Sequence, residues 1–78
     1  MPFDEDLIAE IRFLNLFNLA SQQEGVKVHH DADPVLVAAA GRLYRKGITT
    51  QADGGYLTDL GVELAEHQQK ALTILKSR

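Results

Sequence analysis

The sequence predicts a small α+β domain over residues 1–78, with three helices and a two- or three-stranded sheet. Apolar residues recur at helical spacing in three segments of the chain. A glycine-rich turn separates two β-prone stretches between the second and third of these segments. The chain has 78 residues, of which 45% are hydrophobic and 24% charged, so its composition supports one small core and no second domain.

The first helix is predicted from about Asp4 to Ala20. Asp4 is a suitable N-cap, and Phe3 is placed to pack on Ile8 as a hydrophobic staple. The stripe of apolar residues along this helix is wider than one core face needs. We therefore expect either a central helix or one that partly meets another chain. The stripe comprises Leu7, Ile8, Ile11, Phe13, Leu14, Leu16, Phe17 and Ala20.

A short strand and the second helix are predicted next. Residues 26–30 alternate valine with polar side chains, which predicts a strand with Val26 and Val28 facing inward. Asp33 is a good N-cap and Pro34 suits the first helical position, so a helix should run to about Lys46. Its predicted buried face consists of Leu36, Ala39, Ala40, Leu43 and Tyr44, and its other face of Ala38, Gly41, Arg42, Arg45 and Lys46.

A β-hairpin is predicted from Ile48 to Thr58. A primed two-residue turn fits at either Asp53-Gly54 or Gly54-Gly55, and the two placements differ in register by two residues. With either placement, period-two alternation assigns one set of side chains to the core face and another to the outer face. The core set is Ile48, Thr50 and Leu57, and the outer set is Thr49, Gln51, Tyr56 and Thr58.

The last helix is predicted from its N-cap Thr58 to about Leu75. Gly61 is unfavourable inside a helix, which close packing against the hairpin would explain. Ile74 lies off the main apolar stripe and is placed to extend a contact with another chain. The predicted core stripe is Leu60, Leu64, Ala71, Leu72 and Leu75.

The order of helix, strand, helix, hairpin and helix resembles that of winged-helix proteins. The runs Leu43–Ile48 and Asp53–Gly61 resemble, in bacterial winged-helix regulators, the end of the recognition helix, the wing and the start of the closing helix. A helix-turn-helix needs a supporting helix before the recognition helix, and here only 21–33 separates the first two helices. The resemblance thus implies a winged helix whose supporting helix is shortened or missing.

The whole chain also resembles a small uncharacterised family of gammaproteobacterial proteins. The resemblance lies in the runs Lys27–Pro34 and Asp53–Gly61. That family has been loosely labelled as DNA-binding, with no assigned role, so the resemblance implies a compartment and a fold type more than a function.

Charge is unevenly distributed along the chain, whose formal net charge is −3. Residues 1–24 carry a net −4 and residues 25–50 a net +2, so a basic middle segment lies between acidic flanks. The candidate nucleic-acid contacts are Lys27, Arg42, Arg45, Lys46, Thr49, Gln51 and Tyr56. Binding by these residues requires the acidic first helix to face away. The alternative is a solvated helix face with cations suited to a helix C-terminus.

Sequence-specific readout through the second helix is not expected. Base recognition usually comes from polar side chains near the start of the recognition helix. None of the residues there can make a bidentate contact with a base edge; they are Pro34, Val35, Val37, Ala38 and Gly41. Any DNA binding should therefore depend mainly on phosphate contacts.

Catalysis, metal binding and cofactor binding have little support in the sequence. There is no cysteine and no glycine-rich phosphate loop, so we expect no enzyme activity, cofactor or small-molecule substrate. His29 and His30 are of metal-ligand type, but neighbouring strand residues point to opposite faces. Asp33 is better used as a cap. We therefore predict no metal site.

The rival to DNA binding is a protein-interaction module that self-associates as a homodimer. The net negative charge and the broad stripe of the first helix favour it, as do the small residues Ala38 and Gly41. The acidic N-terminus does not resemble a signal peptide, and no apolar run is long enough to span a bilayer. The sequence thus predicts a cytoplasmic protein with no membrane contact.

Overall fold

Three N-caps fix where the helices begin. The Asp4 side chain accepts a hydrogen bond from the Leu7 amide at 2.8 Å, and that of Asp33 accepts one from the Val35 amide at 2.9 Å. The Thr58 hydroxyl accepts one from the Gly61 amide at 3.0 Å. All three caps were predicted from the sequence. The computed structural model describes residues 4–20 and 24–77; the predicted contact of Phe3 lies outside them.

The described residues form an α+β domain of winged-helix-like order, as predicted. Helix α1 packs against α2, and a three-stranded antiparallel sheet lies beside them in the order β1-β3-β2. Residues 28–33 contain a turn closed by the Ala32 amide and the His29 carbonyl, in place of a supporting helix. The elements are α1 Glu5–Leu14, β1 Val26–Lys27, α2 Pro34–Arg45, β2 Thr49–Gln51, β3 Gly54–Leu57 and α3 Asp59–Lys76.

Helix α1 is shorter than predicted, because it ends at Leu14 rather than near Ala20. The amides of Leu16 and Phe17 bond to carbonyls three residues earlier, which tightens the backbone into turns. This tightening brings Phe17 into the core, where its ring meets that of Phe13 edge-on at 5.7 Å between centroids. The apolar periodicity thus continued beyond the helix itself.

The hairpin turn lies at Ala52-Asp53, so neither predicted placement is correct. Gly54 and Gly55 instead begin β3, with φ of 118° and 72°. A Cβ on Gly54 would lie 2.3 Å from the Val26 carbonyl oxygen, so this glycine allows β1 and β3 to approach closely. The two glycines are therefore needed for the close pairing of β3 with β1 as well as for the exit from the turn.

The predicted assignment of hairpin faces is only partly correct. Ile48 is buried as predicted, but Thr49, which was placed on the outer face, is buried beside it. Thr49 pairs with Leu57, and the register shifts between Thr49 and Gln51. That irregularity breaks the strict alternation on which the prediction depended.

The core lies between α1, α2 and the sheet. Both inward valines of the first strand segment are confirmed, since Val28 is buried and Val26 packs against the core. Tyr44 was predicted to be buried on α2 and is exposed. The buried cluster consists of Phe13, Leu14, Phe17, Val28, Ala40, Leu43 and Ile48.

Helix α3 reaches the hairpin through a glycine. A Cβ on Gly61 would lie 2.1 Å from the Ile48 carbonyl oxygen, which confirms the predicted close approach. Ala65, one turn further on, is fully buried. None of the three helices described combines the length and apolar character that crossing a bilayer requires.

Candidate interaction surfaces

A buried carboxylate on α1 binds two of the predicted DNA-contacting cations. Arg42 Nε donates to Glu10 Oε2 at 3.0 Å, and Lys46 Nζ donates to Glu10 Oε1. Arg42 Nη2 also donates to the Asp6 carbonyl oxygen at 3.2 Å. Glu10 is only 5% exposed, so the two cations compensate a charge that is largely removed from water.

The acidic first helix therefore does not face away from the basic group, contrary to expectation. It packs along α2 and directs Glu10 at Arg42 and Lys46. A phosphate that recruited these two side chains would leave Glu10 buried without its partners. Arg45, the third cation of the predicted face, makes no ion pair within residues 4–20 and 24–77.

The remaining candidate contacts are divided between two places. Lys27, Gln51 and Tyr56 are exposed and line one shallow depression on the sheet. Arg45 is exposed on α2 and is not part of that depression. The prediction that Thr49 contacts a nucleic acid is wrong. Thr49 is 3% exposed and its hydroxyl donates to the Gln51 carbonyl at 3.2 Å, so it cannot reach a nucleic acid.

Two of the three histidines lie in a separate pocket. His29 and His30 are exposed and line it together with Lys27 and Asp53. Asp33 is used as the cap of α2, as expected. Among the residues that the structure describes, no three histidine, cysteine, aspartate or glutamate side chains converge closely enough to hold a metal ion.

An apolar groove lies between α1 and α3, above the end of α2. Its floor consists of Leu14, Leu43 and Ile48, which belong to the core. Leu7 and Leu64 stand at its rim and are 36% and 38% exposed. This α1–α3 groove is lined by Leu7, Glu10, Ile11, Leu14, Leu43, Lys46, Ile48, Leu64 and Gln68.

The polar atoms at the edge of the groove are largely engaged within the domain. Glu10 and Lys46 are paired with each other, and the Gln68 amide donates to Asn15 Oδ1. Only Gln68 Oε1 is buried without a hydrogen-bond partner in the described part of the chain. The groove therefore presents an apolar surface with its charges already compensated.

The exposed face of α3 is the feature that the sequence interpretation placed wrongly. Of the residues predicted as its core stripe, Leu60, Leu64, Ala71 and Leu75 are exposed, whereas Leu72 is half-buried. The residues that face the domain form an inner seam: the small Gly61 and Ala65, the polar Gln68, and Leu72. Gln69 reinforces it by donating to the Leu14 and Phe17 carbonyls at 3.4 and 3.3 Å.

The comparisons with known proteins add a family and no function. A model of the family of unknown function DUF5669 matches residues 1–76. This chain belongs to DUF5669. No curated protein and no solved structure matches it significantly.

The DUF5669 match spans all six elements of the described fold. It therefore includes both the α1–α3 groove and the whole of α3. Both surfaces belong to the DUF5669 domain itself rather than to an appended segment.

Proposed function

We propose that this DUF5669 domain is a non-enzymatic protein-interaction module whose working surface is the α1–α3 groove together with the exposed face of α3. The observation that carries the proposal is the open apolar groove, whose rim leucines are more than one-third exposed. A contiguous apolar surface bordered by satisfied polar groups is typical of protein-binding sites.

The charges of α2 support a protein partner over DNA. Arg42 and Lys46 supply half of the cations in the basic middle segment, and both are bound to Glu10. Asp6 lies 3.9 Å from Arg42 as a second carboxylate, so their positive charge is largely compensated inside the domain and contributes little to the attraction of phosphate. The overall net charge of −3 opposes DNA binding further.

Nucleic-acid binding is the second candidate, favoured by one observation. Lys27 of β1 lies next to Gln51 and Tyr56, which belong to the two strands of the hairpin that corresponds to a wing. With Lys27 and Arg45 as its cations, such binding would be weak and insensitive to sequence. It would also use a surface other than the α1–α3 groove.

Site-specific photo-crosslinking in cells tests the proposal. Leu64 is replaced by a benzophenone-bearing amino acid, and its adducts are identified by mass spectrometry. The matched control places the same amino acid at Val35, which is 60% exposed on α2 and outside the groove. A third position, Gln51, samples the wing surface.

The proposal predicts polypeptide adducts from position 64 in clear excess over those from position 35. Equal yields from positions 64 and 35 would overturn it. Nucleic-acid adducts from position 51, without a protein excess at 64, would establish the second candidate instead.

A further inference from the structure

Helix α3 carries two adjacent stripes of the kind that pack in coiled coils. The inner seam faces the domain. Beside it, a second stripe repeats at intervals of four, three, four and three residues, which is the a/d spacing of a heptad. This outer seam consists of Leu60, Leu64, His67, Ala71 and Ile74.

The outer seam is uncovered along its whole length. Leu60 is 53% and Ile74 48% exposed, and His67 and Ala71 are exposed between them. At 1.5 Å per residue the seam is about 21 Å long. A lone apolar residue on a surface needs no explanation, but a heptad stripe of this length is typical of a helix that packs on another helix.

We infer that the outer seam pairs with the outer seam of a second copy of this chain, with the two α3 helices antiparallel. The inference rests on the proposed function and names the partner of the same surface. A two-fold axis placed between Leu64 and His67 relates the two helices. It sets Leu60 against the small Ala71 of the partner, and Leu64 against the partner's His67.

Charge complementarity selects the antiparallel orientation. Glu63 and Lys70 flank the outer seam on the side away from the domain. Each immediately precedes an a position of the heptad, which is Leu64 or Ala71. The axis that pairs the seams brings Glu63 of one copy opposite Lys70 of the other, and it does so twice. In a parallel pair each flanking charge would face an uncharged residue of the partner. Glu63 would face Gln68, and Lys70 would face Leu75.

The self-complementarity of this one helix is the reason to name a second copy as the occupant. A single helix carries both the acidic and the basic flanking residue. When a second copy runs in the opposite direction, its small seam residue Ala71 lies opposite the large Leu60. An isologous interface needs this property. Leu64 also belongs to the rim of the α1–α3 groove, so a helix on the outer seam covers the groove mouth as well.

Sedimentation equilibrium over a concentration series tests for the pair. The wild-type chain of 8.6 kDa should approach twice that mass as the concentration rises. Leu60→Glu should weaken association by about tenfold or more, since it places a carboxylate in the seam against the partner's Ala71. Val35→Glu, an equally drastic change at an exposed α2 position, should leave the mass distribution unchanged. Circular dichroism confirms that each variant is folded.

Charge reversal tests the orientation. Glu63→Lys alone and Lys70→Glu alone should each weaken self-association by about tenfold, because two attractive pairs become repulsive. A mixture of these two variants should recover association, since every flanking pair in the mixed dimer is again opposite in sign. A parallel arrangement predicts no such recovery.

The outcomes separate this inference from the proposed function. A monomer at every concentration overturns the self-pairing. If position 64 then crosslinks to a different identified polypeptide, the protein-interaction function stands without it. A dimer that Leu60→Glu leaves intact also overturns the inference, because the copies would then associate elsewhere.

Discussion

Glu10 lies 3.0 Å from Arg42, the carboxylate Oε2 accepting from Nε across the α1–α2 contact. The pair joins residues 32 positions apart in the chain. It explains how a helix rich in acidic residues packs directly against the most basic helix of the domain. It also engages one of the two arginines of that helix within the domain.

Removing the Glu10 carboxylate should destabilise the fold. Glu10→Ala leaves Arg42 and Lys46 without their shared partner and opens a gap in a buried contact. We expect the free energy of unfolding to fall by about 2–3 kcal/mol. This loss is small for a broken buried ion pair, because both cations retain access to water. Urea unfolding at fixed protein concentration measures it.

Glu66→Ala is the matched control for this prediction. Glu66 is an exposed carboxylate on α3, so its removal should change stability by no more than about 0.5 kcal/mol. Equal effects of the two substitutions would show that Glu10 has no special role in the packing of α1 on α2.

Two helical glycines should respond to alanine with opposite signs. In Gly61→Ala the new Cβ would lie 2.1 Å from the Ile48 carbonyl oxygen, so α3 must shift away from the hairpin. We expect a loss of at least about 2 kcal/mol, despite a helix-propensity gain of about 1 kcal/mol. Thermal unfolding followed by circular dichroism measures the change.

Gly41→Ala provides the comparison on α2. The nearest atom to its new Cβ is Arg45 Nη1 at 3.5 Å, an ordinary contact with a flexible side chain. This substitution should therefore raise stability by up to about 1 kcal/mol. A destabilised Gly41→Ala together with a neutral Gly61→Ala would contradict the packing described for both helices.

The salt dependence of any DNA binding should be shallow. With Arg42 and Lys46 engaged by Glu10, Lys27 and Arg45 are the available cations of the basic segment. The log–log slope of affinity against salt should then be about −2 per chain, where all four cations would give about −4. Fluorescence anisotropy on a random duplex measures the slope.

The variant series for that measurement separates the two groups of cations. Arg45→Ala should flatten the slope by about one unit, and Arg42→Ala should not change it beyond its effect on stability. A slope near −4 that Arg42→Ala reduces would show that the cation leaves Glu10 to bind phosphate.

The centre of the outer seam offers a gain-of-affinity prediction. His67 occupies a core position of the heptad, where a polar side chain costs stability. His67→Leu should strengthen self-association by about tenfold, because each copy then places a leucine against Leu64 of the other. Sedimentation equilibrium measures it, and unchanged or weaker association would place His67 outside the contact.

The sequence predicted the fold class and the three caps because these depend on local chemistry, and it predicted the close approach at Gly61 because a glycine is unfavourable inside a helix. It failed where tertiary contacts decide. The apolar stripe of α1 continued into turns, and the irregularity after Thr49 reversed one hairpin face. Neither feature can be detected from the spacing of apolar residues in the sequence.

The site was harder to predict for a related physical reason. Leu60, Leu64 and Leu75 form the most apolar stripe of α3, and a single chain is expected to bury such a stripe. The domain instead packs Gly61 against the hairpin and buries Ala65 one turn further on. The pairing of Glu10 with Arg42 and Lys46 depends on the α1–α2 packing, which the sequence does not specify.

The most direct test of the account is hydroxyl-radical footprinting of the chain at low and high concentration, read by mass spectrometry for each side chain. If the outer seam and groove form the interaction surface, Leu60, Leu64 and His67 should lose reactivity as concentration rises. Val35 and Tyr56, exposed elsewhere, should keep theirs. Constant reactivity along α3, or a loss confined to Val35 and Tyr56, would contradict the account.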